Sequence, residues 1–249
     1  MMEPITVVLL AIIIFVINFF GVISGGKGLI LRPIMIAFGI PAQITVGSAR
    51  TSALGTSTIS LIAFIRKGKV DWRLGFLLAI PMALGGLIGA YIVLGIPEEV
   101  LQKVIGITVI VIGIWLLVSK NTGVKPMAKR LGKKHHLLGN VLTTIASIFN
   151  TIVGGQGPIF SAILIGLYGK TYLSLIPILE IASLAAALVS GIVFVVHGLV
   201  DWWLVLLLIV AGGIGTWFGV HHGVKWGEKY ARTIVLVVVF VLGIKMIFF

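Results

Sequence analysis

Eight segments of this chain are apolar over the length that crosses a lipid bilayer. They run approximately 5–23, 43–65, 72–93 and 100–118, then 137–153, 173–196, 202–222 and 230–248. A span needs roughly 20 apolar residues, with a tolerance of about 17–25. What lies between them cannot clothe a soluble body. Only 10% of the 249 residues are charged and 59% are hydrophobic, against about 25% charged in a typical soluble domain. The chain is therefore read as an all-α polytopic membrane protein. The same composition closes several functions. Without cysteine there is no disulfide framework, thiolate metal site or cysteine nucleophile. Seven acids, few of them inside apolar segments, argue against a carboxylate-based hydrolase. The net charge of +12 does not mark a nucleic-acid binder. Its lysines and arginines cluster in the short breaks between apolar runs, where basic residues hold the cytoplasmic side of a membrane protein. The first run has no basic residue before it and no small-residue cleavage site after it, unlike a removable signal peptide.

The chain repeats itself at an offset of about 130 residues. Val70-Asp71-Trp72 matches Val200-Asp201-Trp202, the Gly85/Gly89 pair matches Gly215/Gly219, and Gly113 matches Gly243. With one residue less of offset, Gly25-Gly26-Lys27-Gly28 matches Gly154-Gly155-Gln156-Gly157. The basic residues swap loops between the copies. The turn at 66–73 carries Arg66, Lys67, Lys69 and Arg73, whereas its partner at 196–203 carries no lysine or arginine. The turn at 94–99 carries Glu98 and Glu99, whereas 224–232 carries Lys225, Lys229 and Arg232. By the positive-inside rule 66–73, the polar stretch 119–136 and 224–232 face the cytoplasm, and Lys170 agrees. The expected architecture is two inverted-topology repeats, residues 1–118 and 137–249, joined by a basic cytoplasmic linker at 119–136. Each repeat holds a glycine-broken helical hairpin followed by three transmembrane helices, and both termini come out external.

Two short apolar pieces, near 29–38 and 158–168, each follow a glycine cluster and form the second arms of those hairpins. Glycine-interrupted segments at matching positions are the best sequence pointer to a transporter's binding site. Non-helical backbone at membrane depth is tolerated where protein buries it or where it lines a watery cavity. A short helix starting there aims free N–H groups and a partial positive charge at the break. The candidate substrate residues are thus Gly25, Gly26, Lys27 and Gly28 from the first break. The second contributes Asn150, Thr151, Gly154, Gly155, Gln156 and Gly157, with Pro158 suited to a helix start. Lys27 adds a full charge, so the site favours an anion. A lone glycine pair would read as a kink for close packing; the matched pair in both copies favours the substrate-lining role.

The third segment is unusually polar, and Thr51 and Ser52 beside Arg50 join the candidates because a hydroxyl donates to an oxyanion without carrying charge. Hydroxyls also join helices to one another in membranes, which covers most of the others on this segment. Arg50 and Glu180 occupy matching positions, each well inside an apolar segment where an unpaired charge is costly. They read either as a substrate-binding arginine and a proton-titrating glutamate, or as a structural ion pair. Glu180 shares a helix face with Ser183, Ala187 and Ser190. The glycine pairs at 85/89 and 215/219 read as close helix contacts. His135-His136 and His221-His222 lack an accompanying carboxylate, so no metal site and no cofactor are expected. Trp72, Trp202, Trp203 and Trp226 read as interface anchors.

These motifs resemble the TauE/SafE sulfite exporter and permease family. The resemblance rests on the GxxSGGxG-type element at Gly21 to Gly28, the short segment with Pro33, the hydroxyl-rich stretch from Ala49 to Ser60 and the second copy at Asn150 to Pro158. It covers essentially the whole chain and implies movement of sulfite, sulfonates or related anions across the cytoplasmic membrane, coupled to H+ or Na+. Lys27 and Gln156 stand where the family's glycine elements carry a small residue. The implied partners are a small anionic substrate, a coupling ion and the lipid bilayer, with a homo-oligomer allowed for and nucleic acid excluded. An anion channel and a non-transporting membrane subunit share the hairpins and are the competing expectations; a membrane enzyme would need a catalytic set that the sequence lacks.

Overall fold

The computed structural model describes residues 3–24, 27–66, 68, 70–118, 133–169 and 172–223. Gly25, Gly26, most of the 119–136 linker, the eighth apolar segment and the side chain of Gln156 lie outside the described residues. All the regular structure described is helical, in the order α1 (Pro4–Ser24), α2 (Lys27–Ala37), α3 (Ala42–Ile65), α4 (Trp72–Gly95), α5 (Glu98–Val118), α6 (Lys133–Ile152), α7 (Gln156–Tyr168), α8 (Tyr172–Val196) and α9 (Trp202–Phe218). A turn of π-helix, Gly219–Gly223, continues α9. The apolar segments among the described residues thus become helices, because lipid leaves the backbone no other partner for its N–H and C=O groups. α6 begins four residues before the apolar run at 137, inside the polar stretch read as linker. Helical hydrogen bonding does not stop where hydropathy falls.

By length and apolarity four helical stretches among the described residues qualify as membrane spans: Pro4–Val22, Trp72–Gly95, Ser174–Val196 and Trp202–His222. α3 has the same 24-residue length as α4 but is too rich in hydroxyls to qualify on composition. Buried polar side chains sit among apolar core clusters, and the outer helix faces are apolar. On α4 Phe76, Ile80, Leu84 and Ile88 are exposed, and on α9 Leu206, Val210, Ile214 and Phe218. This four-residue spacing lines one helix face and exposes it to lipid. Thr45, Ser48, Arg50, Ser52, Thr56, Ser57 and Ser60 of α3 are all buried.

Helix ends follow local chemistry. The repeated Val-Asp-Trp word is a helix start: Asp71 accepts from the Leu74 N–H at 3.1 Å, and Asp201 accepts from Trp203 and Leu204 at 2.9 and 3.1 Å. Such caps contribute about 0.5–2 kcal/mol each. Left-handed glycines close the helices at matching positions. Gly39 (φ 84°) and Gly169 (φ 60°) follow α2 and α7, and Gly68 (φ 95°) and Gly198 (φ 69°) follow α3 and α8. α3 is capped from a distance, since Glu98 at the start of α5 accepts from the backbone N–H groups of Ala42 and Gln43.

The helices pack in matched pairs. α3 lies against α8; α4 packs on α8 and α6, and α9 packs on α3 and α1. Glycine permits the closest of these approaches. A Cβ at Gly89 would fall 2.8 Å from Thr151 Cβ on α6, and one at Gly85 would strike the Thr144 carbonyl. On the other side, Gly215 and Gly219 meet the Phe15 and Phe19 carbonyls of α1. The glycine pairs are the helix contacts expected from the sequence.

Candidate functional site

Each break stops a long helix and starts a short one. Residues 153–155 connect α6 to α7, with Gly154 at φ 92° and Gly155 at φ 85°, a conformation that costs an L-residue roughly 1–2 kcal/mol. The two breaks touch. A Cβ on Gly154 would lie 2.8 Å from the backbone carbon and oxygen of Gly28, and one on Gly155 would lie 2.6 Å from Leu29 Cγ. The N-terminus of α2 therefore meets the α6–α7 connection backbone to backbone. Glycine on both sides permits that approach.

A cavity of about 110 Å³ opens at this meeting point, between α1, α2, α3, α6, α7, α8 and α9. It is well below the ~300–1,000 Å³ of sites for drug-sized ligands. It still exceeds several-fold the roughly 10–15 Å³ that one water requires. Lys27, Gly28, Arg50, Ser52, Asn150, Gly154, Gly155, Gly157 and Glu180 line it, as do Asn18, Arg32, Thr56, Ser57 and Ser183. Thr51 and Thr151 do not. Thr51 Oγ1 donates to the Gly47 carbonyl at 2.9 Å, and Thr151 packs on Gly89. Their hydroxyls stand outside the cavity wall, as a side chain one position from a lining residue points about 100° away around the helix. Gly25, Gly26 and the Gln156 side chain lie outside the described residues.

Charge inside the wall is uneven. Arg32, Arg50 and Glu180 are exposed by only 4%, 3% and 5%. Arg50 Nε donates to Ser190 Oγ at 3.1 Å, and Ser190 in turn donates to the Ala186 carbonyl at 2.6 Å. Arg32 Nη1 donates to the Thr151 carbonyl at 3.0 Å, tying α2 to the end of α6. Glu180 Oε1 stands 3.9 Å from Lys27 Nζ. The ion pair considered from the sequence, Arg50 with Glu180, is not the one formed; Glu180 pairs with Lys27. Among the described residues, Arg50 Nη2, Arg32 Nε, Asn150 Nδ2 and Glu180 Oε2 are buried without a hydrogen-bond partner. Buried polar atoms are ordinarily satisfied, so Arg50 Nη2, Arg32 Nε and Asn150 Nδ2 are spare donors able to meet an acceptor beside the cavity, while Glu180 Oε2 is itself a spare acceptor.

Arg32 was missing from the sequence candidates. The signal that marks Arg50, a charge within an apolar segment, marks Arg32 as well. Its segment, near 29–38, is too short to count as a span, so the charge does not stand out there. Asn18 carried no such signal, being a single amide in an apolar helix. No group of three or more metal-ligating side chains occurs among the described residues.

The family model for sulfite exporter TauE/SafE matches residues 10–246. Similar proteins include a probable membrane transporter protein of Haemophilus influenzae, 24% identical over 94% of this chain and 91% of the relative. A probable membrane transporter protein of a Sinorhizobium species is 24% identical over 94% of this chain and 89% of its own length. The probable membrane transporter protein YfcA of Escherichia coli K12 is 22% identical over 100% of this chain and 92% of its own. No solved structure matches the chain.

Proposed function

This chain belongs to the sulfite exporter TauE/SafE family, and from that premise we propose that it moves a small anion, sulfite or an organosulfonate, across the cell membrane as an ion-coupled secondary transporter. It is a membrane transporter and not an enzyme. The observation that carries the substrate reading is the meeting of the two helix breaks around one small cavity lined by Lys27, Arg32 and Arg50. Helix N-termini and buried cations both select negative charge.

The two-repeat, inverted arrangement is part of this reading. The matched caps at Asp71 and Asp201, the matched left-handed glycines and the exchange of helix partners support two related halves. The swap of basic loops supports their opposite orientation, with the linker cytoplasmic and both termini external. Alternating access then has a physical basis, since the site lies between halves that can rock about it. Glu180 is assigned the coupling role: a carboxylate in the cavity wall is repelled by an entering anion and takes up a proton to remain.

Counterflow in proteoliposomes tests the assignment. With the membrane potential clamped at zero, vesicles loaded with unlabelled sulfite should transiently accumulate labelled sulfite against its gradient, which a channel cannot do. Labelled flux without counterflow would establish the channel, and absence of flux would leave a non-transporting subunit.

A further inference from the structure

The cavity wall carries three cations against one carboxylate. Lys27, Arg32 and Arg50 face it, together with Glu180, and no other acid among the described residues does. Asp71 and Asp201 are spent on helix caps, as is Glu98. The positive surplus is two with Glu180 ionised and three with it protonated. Buried charge of one sign is costly unless matched. A monoanion leaves one or two positive charges in the wall, depending on Glu180, whereas a dianion leaves none with Glu180 ionised and one with it protonated.

We propose that the site selects small doubly charged oxyanions over singly charged ones of the same shape, with Arg32 as the residue that sets the charge requirement. The inference rests on the anion-transport reading and narrows it, from sulfite or an organosulfonate to the dianion. Arg32 is suited to the role by its attachment. Its Nη1 is held at 3.0 Å by the Thr151 carbonyl, which fixes the guanidinium across the junction of the two breaks and leaves Nε without a partner among the described residues. Arg50 is held from its own side by Ser190, leaving Nη2 free among the described residues. An anion between them accepts from two anchored forks, and each bond to a fixed guanidinium is charge-assisted. The small volume reinforces the choice. A cavity of about 110 Å³ takes a bare oxyanion more readily than one carrying a long organic tail.

Sulfate and methanesulfonate separate charge from shape, both being tetrahedral sulfur oxyanions of similar size. Titration calorimetry on the purified full chain, at matched ionic strength and slightly alkaline pH, should show sulfate binding at least about tenfold tighter, as one additional charge-assisted contact implies. Arg32→Gln should lower the sulfate-to-methanesulfonate affinity ratio by about tenfold to a hundredfold. Arg32→Lys, which keeps the charge, should retain the preference. Lys27→Gln should shift the ratio in the same direction as Arg32→Gln, which provides a test independent of the Thr151 anchor. Equal affinity of the wild type for the two ions overturns the charge-matching inference alone. So does a loss of equal factor for both ions in the two glutamine variants. Failure of the wild type to bind either ion overturns the transport-site reading and this inference with it.

Discussion

At the scale of single residues, the site depends on which charge stands beside which. Arg50 and Glu180 occupy equivalent places in the repeat, yet Arg50 bonds to Ser190 and Glu180 faces Lys27. Transport should therefore be abolished by Arg50→Ala and remain absent in the Arg50→Ala/Glu180→Ala double variant. Uptake restored in the double variant would return the two to a structural ion pair. Lys27→Gln removes the charge and keeps a donor of similar reach, so sulfite binding measured by calorimetry should weaken by about 1–3 kcal/mol. Unchanged affinity would place the ammonium outside the site. The pair is loose at 3.9 Å, and Lys27 is the more exposed partner. A cation held that weakly is free to transfer to an incoming anion.

At the scale of elements, glycine decides where helices stop and how closely they approach. Gly154 has a positive φ, and a Cβ there would meet Gly28 backbone, which cannot yield as a side chain can. Gly154→Ala should combine a left-handed penalty of about 1–2 kcal/mol with separation of the two breaks, lowering both the unfolding temperature in detergent and anion affinity. Gly28→Ala should be milder, since its nearest contacts would be 3.2 and 3.3 Å and its φ is not in the left-handed region. The reverse order of severity would mean that the breaks are not in contact when substrate binds. Between helices, Gly85→Leu and Gly215→Leu should each destabilise by about 1–3 kcal/mol or more through overpacking, at the α4–α6 and α9–α1 contacts. Chemical denaturation in mixed micelles would read the losses, and similar values at both positions would fit equivalent halves.

At the scale of the whole molecule, orientation follows from charge bias and is open to direct labelling, because the chain has no cysteine of its own. Single cysteines at Lys67 and Lys129 should resist an impermeant thiol reagent in intact cells. The external reporter belongs at Glu99, which is exposed, and not at Glu98, whose carboxylate caps α3. A Glu99 cysteine should react from outside. Labelling at all three positions would end the inverted arrangement while leaving the helices and the cavity as they are.

The sequence by itself determined the membrane class, the position of nearly every described helix and the two glycine breaks. All of these are local properties. A run of apolar side chains must be helical in lipid because its backbone has no other partner, and a glycine pair between apolar runs is an interruption whatever surrounds it. Tertiary structure alone decided which side chains meet. Each step along a helix turns a side chain by about 100°. Thr51 and Ser52 therefore part company although adjacent, and Ser190, 140 positions along the chain from Arg50, becomes its partner. Arg32 entered the site for the same reason. A short helix too brief to read as a span is carried to the centre of the protein by the hairpin it closes. The cavity's excess of positive charge exists only once Lys27, Arg32 and Arg50, separate in sequence, are brought to one wall by packing.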